Sequence, residues 1–446
     1  MPAHAGQSLL LAGQDLLQDP YRYDLTELEG LDVLSEPSEC LLEAQVEVAG
    51  RFGVDYSYFL VNGASVGLIA ALLAAVKPGE KVLLPRNAHR SVLSGLILTG
   101  AQPVWFLPER LPEWGLWGGV NLENLAAQLH RHPDARAVCI TSPTYEGIGS
   151  DVQALSALCR AQGVALIVDE AHGSLWPFTK QLPASACGFG CDAVIHSMHK
   201  SGGSLTQSAL AHLPRGSRIA PDSFQQALNT LQTTSPSYLL MASLEASVAF
   251  LSSAQGQSRI QGLMDKTHAL RRHLGETLQT FRLFQPAEES LGLWDPCKLY
   301  FRHFSLPGEE WGAYIESERQ IAYESASPEG VLYLANLGLE TEDFDAFRQV
   351  MQEEDQRFST AGAVDGIDQA ALGLTNPAVL ILEMAMLPRE AFFCTGERVS
   401  STQALGRVAK ETIVHCPPGI PVLFPGERIQ EAHLAFLPEE GVLVIR

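Results

Sequence analysis

Between about residues 50 and 215 the chain alternates short apolar runs with amphipathic stretches, and each apolar run ends in a small group of polar residues. Tyr58 to Val61 leads into Asn62-Gly63-Ala64-Ser65 and a helical run from Val66 to Val76, which Pro78-Gly79 stops. Lys81 to Pro85 reads as the next strand, with His89 in the loop or helix start behind it. Ala137 to Thr141 ends in Ser142-Pro143-Thr144-Tyr145, and Val164 to Val168 ends in Asp169-Glu170-Ala171-His172. Asp192 to Ile195 runs on to Ser197, His199 and Lys200. Strands of this length alternating with helices predict βαβ units and a mostly parallel sheet. Such a sheet gathers its ligand at the C-terminal edge of its strands, where all of these polar residues fall.

The rest of the chain is organised differently. Residues 221 to 285 read as helical, interrupted by TTSPSY at 233 to 238. From about 297 onward, strands such as Lys298 to Phe304 and Gly330 to Ala335 alternate with helices, the pattern of a smaller α+β domain. At 446 residues the chain suits a large domain plus a smaller one. The expected division is an N-terminal arm over 1–50, a large domain over 51–290 and a smaller C-terminal domain over 291–446. CPPGIPVLFPGE at 416 to 427 is expected to be a rigid loop.

Composition excludes several functions. A formal net charge of −21 argues against binding a phosphate backbone, which needs a basic face. With 46% hydrophobic and 18% charged residues the chain is that of an ordinary soluble protein. The N-terminus lacks a basic stretch before an apolar core, and no apolar run is long enough to span a bilayer, so a cytoplasmic location without membrane contact is expected. The eight cysteines are scattered, with no CxxC pair. Cys187 and Cys191 have no nearby histidine at zinc-site spacing, so the cysteines read as buried apolar groups and no metal is expected.

The strand-end residues have complementary chemistry. A desolvated lysine behind a buried strand is a usable amine nucleophile toward a carbonyl carbon, which Lys200 would be. Asp169, behind an apolar run, needs a cationic partner such as a protonated ring nitrogen. His89 could stack on a planar heterocycle, and the Asn62–Ser65 turn offers backbone N–H groups to a phosphate. Singly, these residues also suit a plain turn, a helix cap or structural histidines. Together, phosphate, protonated pyridine, stacking and aldehyde describe pyridoxal 5'-phosphate.

The runs FLVNGASVGLIAALLA, KVLLPRNAHRSVLSGLIL, SPTYEG, VDEAHG, HSMHKSGGSLTQSA and LQTTSPSYLLMASLEA resemble the Orn/Lys/Arg decarboxylase family, as do PREAFF and GRVAKETIVHCPPGIPVLFPGE. The length is similar to that of the short members of Gram-positive bacteria and cyanobacteria. The resemblance implies an α/β fold type I PLP enzyme, like aspartate aminotransferase, with a large domain and a smaller C-terminal α+β domain. It implies that Lys200 holds the cofactor's aldehyde, that Asp169 partners the pyridine nitrogen, and that His89 stacks on the ring. Ala64, Ser65, Ser197 and His199 would surround the phosphate, His172 would lie beside the ring, and Thr144 near its hydroxyl edge. His199 or Lys200 would return the proton to Cα. Thr233 and Ser235 would reach a neighbour's phosphate, which makes the unit a homodimer or higher homo-oligomer with shared sites. The chain departs from the family at Ala64, usually Thr or Ser, at Cys416, usually Tyr, and in PAHAG at 2 to 6, which lacks a lysine.

The implied activity is decarboxylation of arginine, lysine or ornithine to a polyamine precursor. Arginine is preferred because short members often take it. Glu411 would meet the substrate's distal charge or else form a surface salt bridge, and Cys416 would lie near the substrate. One alternative keeps the cofactor but transfers the amine or cleaves an aldol, with Arg407 holding an α-carboxylate. Another is a silent PLP-binding regulatory protein, to which the changes at Ala5, Ala64 and Cys416 point.

Overall fold

The computed structural model describes Ala3 and residues 20–360, 384–415 and 420–446. Its central sheet has seven strands: β1 (Tyr56–Leu60), β2 (Lys81–Pro85), β3 (Gln102–Phe106), β4 (Ala135–Thr141), β5 (Ala165–Asp169), β6 (Ala193–His196) and β7 (Ala209–Leu213). In space they lie in the order β3-β2-β4-β5-β6-β7-β1. β7 runs antiparallel to both of its neighbours, and all other pairings are parallel.

Alternate side chains of each strand enter two different cores. Leu83, Val138, Leu166, Val168 and Val194 face one, and Val82, Cys139, Ile167, Ala193 and Ile195 the other, all of them buried. A sheet covered on both faces explains why its strands read as unbroken apolar runs. The helix Ala64–Ala75 lies close against one face because Gly67 has no side chain. A Cβ there would sit 2.7 Å from Leu60 Cδ1 and 3.1 Å from Ile195 Cγ2.

Two strands escape the sequence pattern. β3 opens Gln-Pro, and proline is tolerated there only because β3 is an edge strand. β7, Ala-Leu-Ala-His-Leu, carries no β-branched residue. The stretch expected to be helical from 221 to 285 resolves into the helices Pro221–Leu231, Tyr238–Ser252 and Ala254–Thr277, and then a short strand, Phe281–Leu283. That strand opens a four-stranded antiparallel sheet with Lys298–His303, Gly330–Leu334 and Ser325–Ser327.

The expectation of a rigid loop over 416–427 is corrected in part. Ile420–Leu423 is a strand paired with Ile413–His415, and Pro421 is accommodated in this two-stranded ribbon beside a register shift. Just beyond it Glu427 meets Arg86, which follows β2. The guanidinium binds the carboxylate at two points, 2.8 and 3.0 Å, and also donates to the Val422 carbonyl at 2.9 Å. It lies 4.5 Å from the Phe424 ring centre and 5.1 Å from that of Trp105, and neither side chain of the ion pair is exposed. Glu427→Gln leaves this buried cation uncompensated, so it should destabilise the fold by about 3–5 kcal/mol, measured by urea denaturation. A loss below about 1 kcal/mol would mean that the guanidinium is hydrated.

Candidate active site

β5 and β6 are neighbouring parallel strands, and each delivers one ionisable group to the same edge. β5 ends on Asp169, 4% exposed, whose carboxylate accepts from the Ala171 N–H at 3.2 Å. β6 is followed by the short helix Met198–Ser201, which carries Lys200. Ser174 donates its hydroxyl to the Ser197 carbonyl at 2.8 Å and so ties that helix to the segment behind β5.

Lys200 Nζ lies 2.8 Å from His172 Nε2 and 5.3 Å from the Tyr145 ring centre. The Tyr145 and His172 rings are themselves 4.4 Å apart, and His172 Nδ1 is buried without a partner. Burial pushes the Lys200 ammonium below its ordinary range, with Asp169 and then Glu324 opposing the shift and Lys298 adding to it. Burial likewise raises the Asp169 carboxyl, against the pull of His89 and Lys200. His172 is held well below its usual value, first by burial and then by the Lys200 charge. All three shifts share one cause, the scarcity of water at this edge.

His89 completes the group. Its Nδ1 lies 2.8 Å from the Ser91 hydroxyl and accepts from the Ser91 N–H at 3.2 Å. Burial lowers its pKa, and Asp169 is the leading opposing charge. His199 precedes Lys200 on the same short helix, with Nδ1 3.1 Å from the Ser208 carbonyl. The helix Ala64–Ala75 begins at Gly63, whose φ of 83° suits glycine, and no side chain caps it. Its first N–H groups, those of Ala64 and Ser65, therefore lack side-chain partners.

The remaining expected residues fall into three groups. Thr144 is buried, but its hydroxyl accepts from the Ile148 N–H at 3.3 Å within its own turn. Thr233 and Ser235 are exposed, and the Thr233 N–H donates to Asn62 of the same chain at 3.1 Å, next to the Gly63 turn. Glu411 is bound by Arg398 at 3.3 Å and by the Leu443 N–H at 2.6 Å, and no described contact joins it to the Lys200 group. Cys416 and Ala5 lie outside the described residues.

Residue-type reasoning missed Lys298, Glu324, Tyr145 and Gln207. Lys298 and Glu324 come from the four-stranded sheet and its border, and both act electrostatically on Lys200. Gln207 has a positive φ of 82°, and its amide donates to the Val61 carbonyl just before the Gly63 turn. Tyr145 and Gln207 could have been found inside the motifs SPTYEG and LTQS. For Lys298 and Glu324 no local signal exists.

A seven-stranded sheet with β7 reversed, carrying a buried lysine behind β6 and a buried aspartate at the end of β5, defines a fold type I enzyme. The sequence profile of the Orn/Lys/Arg decarboxylase major domain matches residues 13–324, and that of the family's C-terminal domain matches 375–438. This chain belongs to the Orn/Lys/Arg decarboxylase family. It is 32% identical over 433 residues to an arginine decarboxylase of Halalkalibacterium halodurans, covering 94% of this chain and 84% of that protein. It is 32% identical over 422 residues to an arginine decarboxylase of Bacillus subtilis, covering 93% and 84%. The structure of lysine decarboxylase A from Pseudomonas aeruginosa superposes with a TM-score of 0.80 at 23% identity, over 93% of this chain and 69% of that one.

Desolvation of Lys200 has a signed consequence. A depressed pKa makes the neutral amine available at lower pH, so trapping of Lys200 by an aromatic aldehyde and borohydride should rise with pH to a midpoint below about 10.4. Peptide mass mapping of the protein at graded pH reads this. A Lys200 midpoint at about 10.4, the ordinary value of a lysine in water, would show that the site is wet.

Proposed function

We propose that the chain binds pyridoxal 5'-phosphate and decarboxylates a basic amino acid, arginine before lysine or ornithine, to an amine that feeds polyamine synthesis. The observation that carries this reading is the desolvated Lys200 amine, hydrogen-bonded to His172 and within electrostatic reach of buried Asp169. The residues fit the cofactor. His172 has an orphaned ring nitrogen, Asp169 is a buried carboxylate in need of a cation, and an uncapped helix N-terminus stands ready for a phosphate.

When bound, pyridoxal 5'-phosphate supplies an aldehyde for covalent attachment and a ring that takes up the electrons released at Cα. Lys200 is the amine that would hold the aldehyde, and Asp169 the carboxylate that would keep the ring nitrogen protonated. His89 would lie against the ring, with His172 beside it and Thr144 near its hydroxyl edge. The Ala64 and Ser65 N–H groups, Ser197 and His199 would hold the phosphate. Loss of CO2 demands a proton at Cα. Lys200 would deliver it, a role supported by His172 Nε2, 2.8 Å away, which can share that proton, and His199 is the second candidate.

Arginine is preferred because the relatives at 32% identity are named arginine decarboxylases. Glu324, which acts on both Lys200 and His199, adds negative potential suited to a cationic substrate. The aminotransferase reading loses its carboxylate anchor, since Arg407 is held by Glu397 at 2.8 Å and the Ile445 carbonyl at 2.7 Å. We also propose a homodimer or higher homo-oligomer in which exposed Thr233 and Ser235 complete a neighbour's site, a cytoplasmic location, and a division at about residues 50 and 290. Among the described residues no helix is long and apolar enough to cross a membrane.

CO2 release from arginine, lysine and ornithine tests the reading directly, with arginine expected to give the highest kcat/KM. Lys200→Ala should lose the visible absorbance of the bound cofactor. Asp169→Ala should lower kcat at least about a hundredfold, because the unprotonated ring is a poor electron sink. Keto-acid formation without CO2, or near-normal turnover of Asp169→Ala, would overturn it.

A further inference from the structure

A second cluster lies on the same face of the sheet as Val194 and Leu210, and the proposed reaction does not use it. His196 ends β6 and His212 lies in β7. The antiparallel register pairs His196 with Leu210, so His212 is its diagonal neighbour on the same face, and the two rings are 5.1 Å apart. Cys187, from the short turn Ala186–Gly188 between β5 and β6, completes the group. The metal-binding atoms of the three residues lie within 4.8 Å of one another, and the histidines are 0% and the cysteine 5% exposed.

Each histidine is oriented through one nitrogen and idle at the other. His196 Nε2 is 2.6 Å from Glu170 Oε2, and His212 Nδ1 is 2.8 Å from Ser57 Oγ. His196 Nδ1 and His212 Nε2 are buried without a partner. Glu170 also accepts from the Ala186 N–H at 2.9 Å and the Ser185 hydroxyl at 2.5 Å, so one carboxylate positions both a histidine and the turn that carries the thiol. A carboxylate behind a ligating imidazole is the usual outer support of a zinc ligand. Phe52 stacks on His212 at 4.2 Å and shields the group from water.

We propose that Cys187, His196 and His212 bind a zinc ion, with Glu170 as the positioning residue. Binding forms one Zn–S and two Zn–N bonds and breaks the Cys187 S–H bond, whose proton leaves to solvent. No electron changes hands. The thiolate and the Glu170 carboxylate together balance the two positive charges, which suits a divalent rather than a monovalent ion in a buried site. A cleft of about 930 Å³ is lined in part by Phe52, Phe178 and Cys187, so the thiol is the side of the group that faces it, and a fourth ligand would enter there. The ion would lock β6 to β7 four residues ahead of Lys200, and its role would be structural.

Untagged full-length protein grown with zinc and dialysed against metal-free buffer should hold about one zinc per chain by elemental analysis. Protein grown in zinc-depleted medium with Co2+ should show a thiolate-to-cobalt charge-transfer band in the near ultraviolet. Cys187→Ser should abolish that band, whereas Cys191→Ser should keep it. Removal of the metal by a strong chelator should lower the Tm by several degrees. Natively folded wild-type protein holding less than about a tenth of an ion per chain from either medium would overturn the proposal, whatever the variants do. So would a charge-transfer band that survives in Cys187→Ser.

Discussion

Burial of the central sheet on both faces is the constraint from which the rest of this structure follows. Strands such as Ala165–Asp169 have every residue buried, so a charged side chain can stand only where a strand ends. Parallel strands end together. Asp169, Lys200 and His89 therefore meet at one edge with little water, where burial shifts each group's ionisation and the neighbouring charges modulate it. The depressed lysine and the raised aspartate are two results of the same desolvation, opposed in each case by the partner's charge.

The loop that carries His89 is held from the far end of the chain. Arg86, three residues before it, is bound at two points by Glu427 and lies against Phe424 and Trp105. The pair is bidentate and fully buried, so it stabilises only as long as both partners remain. The C-terminal segment thus contributes to the candidate site through the backbone of the Arg86–His89 loop. Glu411, the residue of that segment singled out from its sequence, is committed to Arg398 and the Leu443 N–H instead.

The face of the sheet that carries Glu170 shows the same economy in another form. Glu170 follows Asp169 directly, yet its carboxylate turns to His196, Ser185 and the Ala186 N–H. Adjacent acids thus serve two clusters, one at the strand edge with Lys200 and one against the sheet with Cys187, His196 and His212. β6 belongs to both, since it ends on His196 and leads into the helix of Lys200.

The sequence by itself determined the α/β class, the strands that read as apolar runs, and the residues directly behind them, because burial and strand ends leave local signatures. Lys200, Asp169, His89 and His172 were legible for that reason. β7 was not, lacking β-branched residues, and with it went the diagonal neighbourhood of His196 and His212, whose spacing resembles no metal motif. Lys298 and Glu324 approach Lys200 from about a hundred residues or more further along the chain. Only the tertiary structure decided these encounters. Electrostatic reach depends on distance in space, and nothing in the local chemistry of a lysine that opens a strand or a glutamate in a loop records which distant side chain it will face.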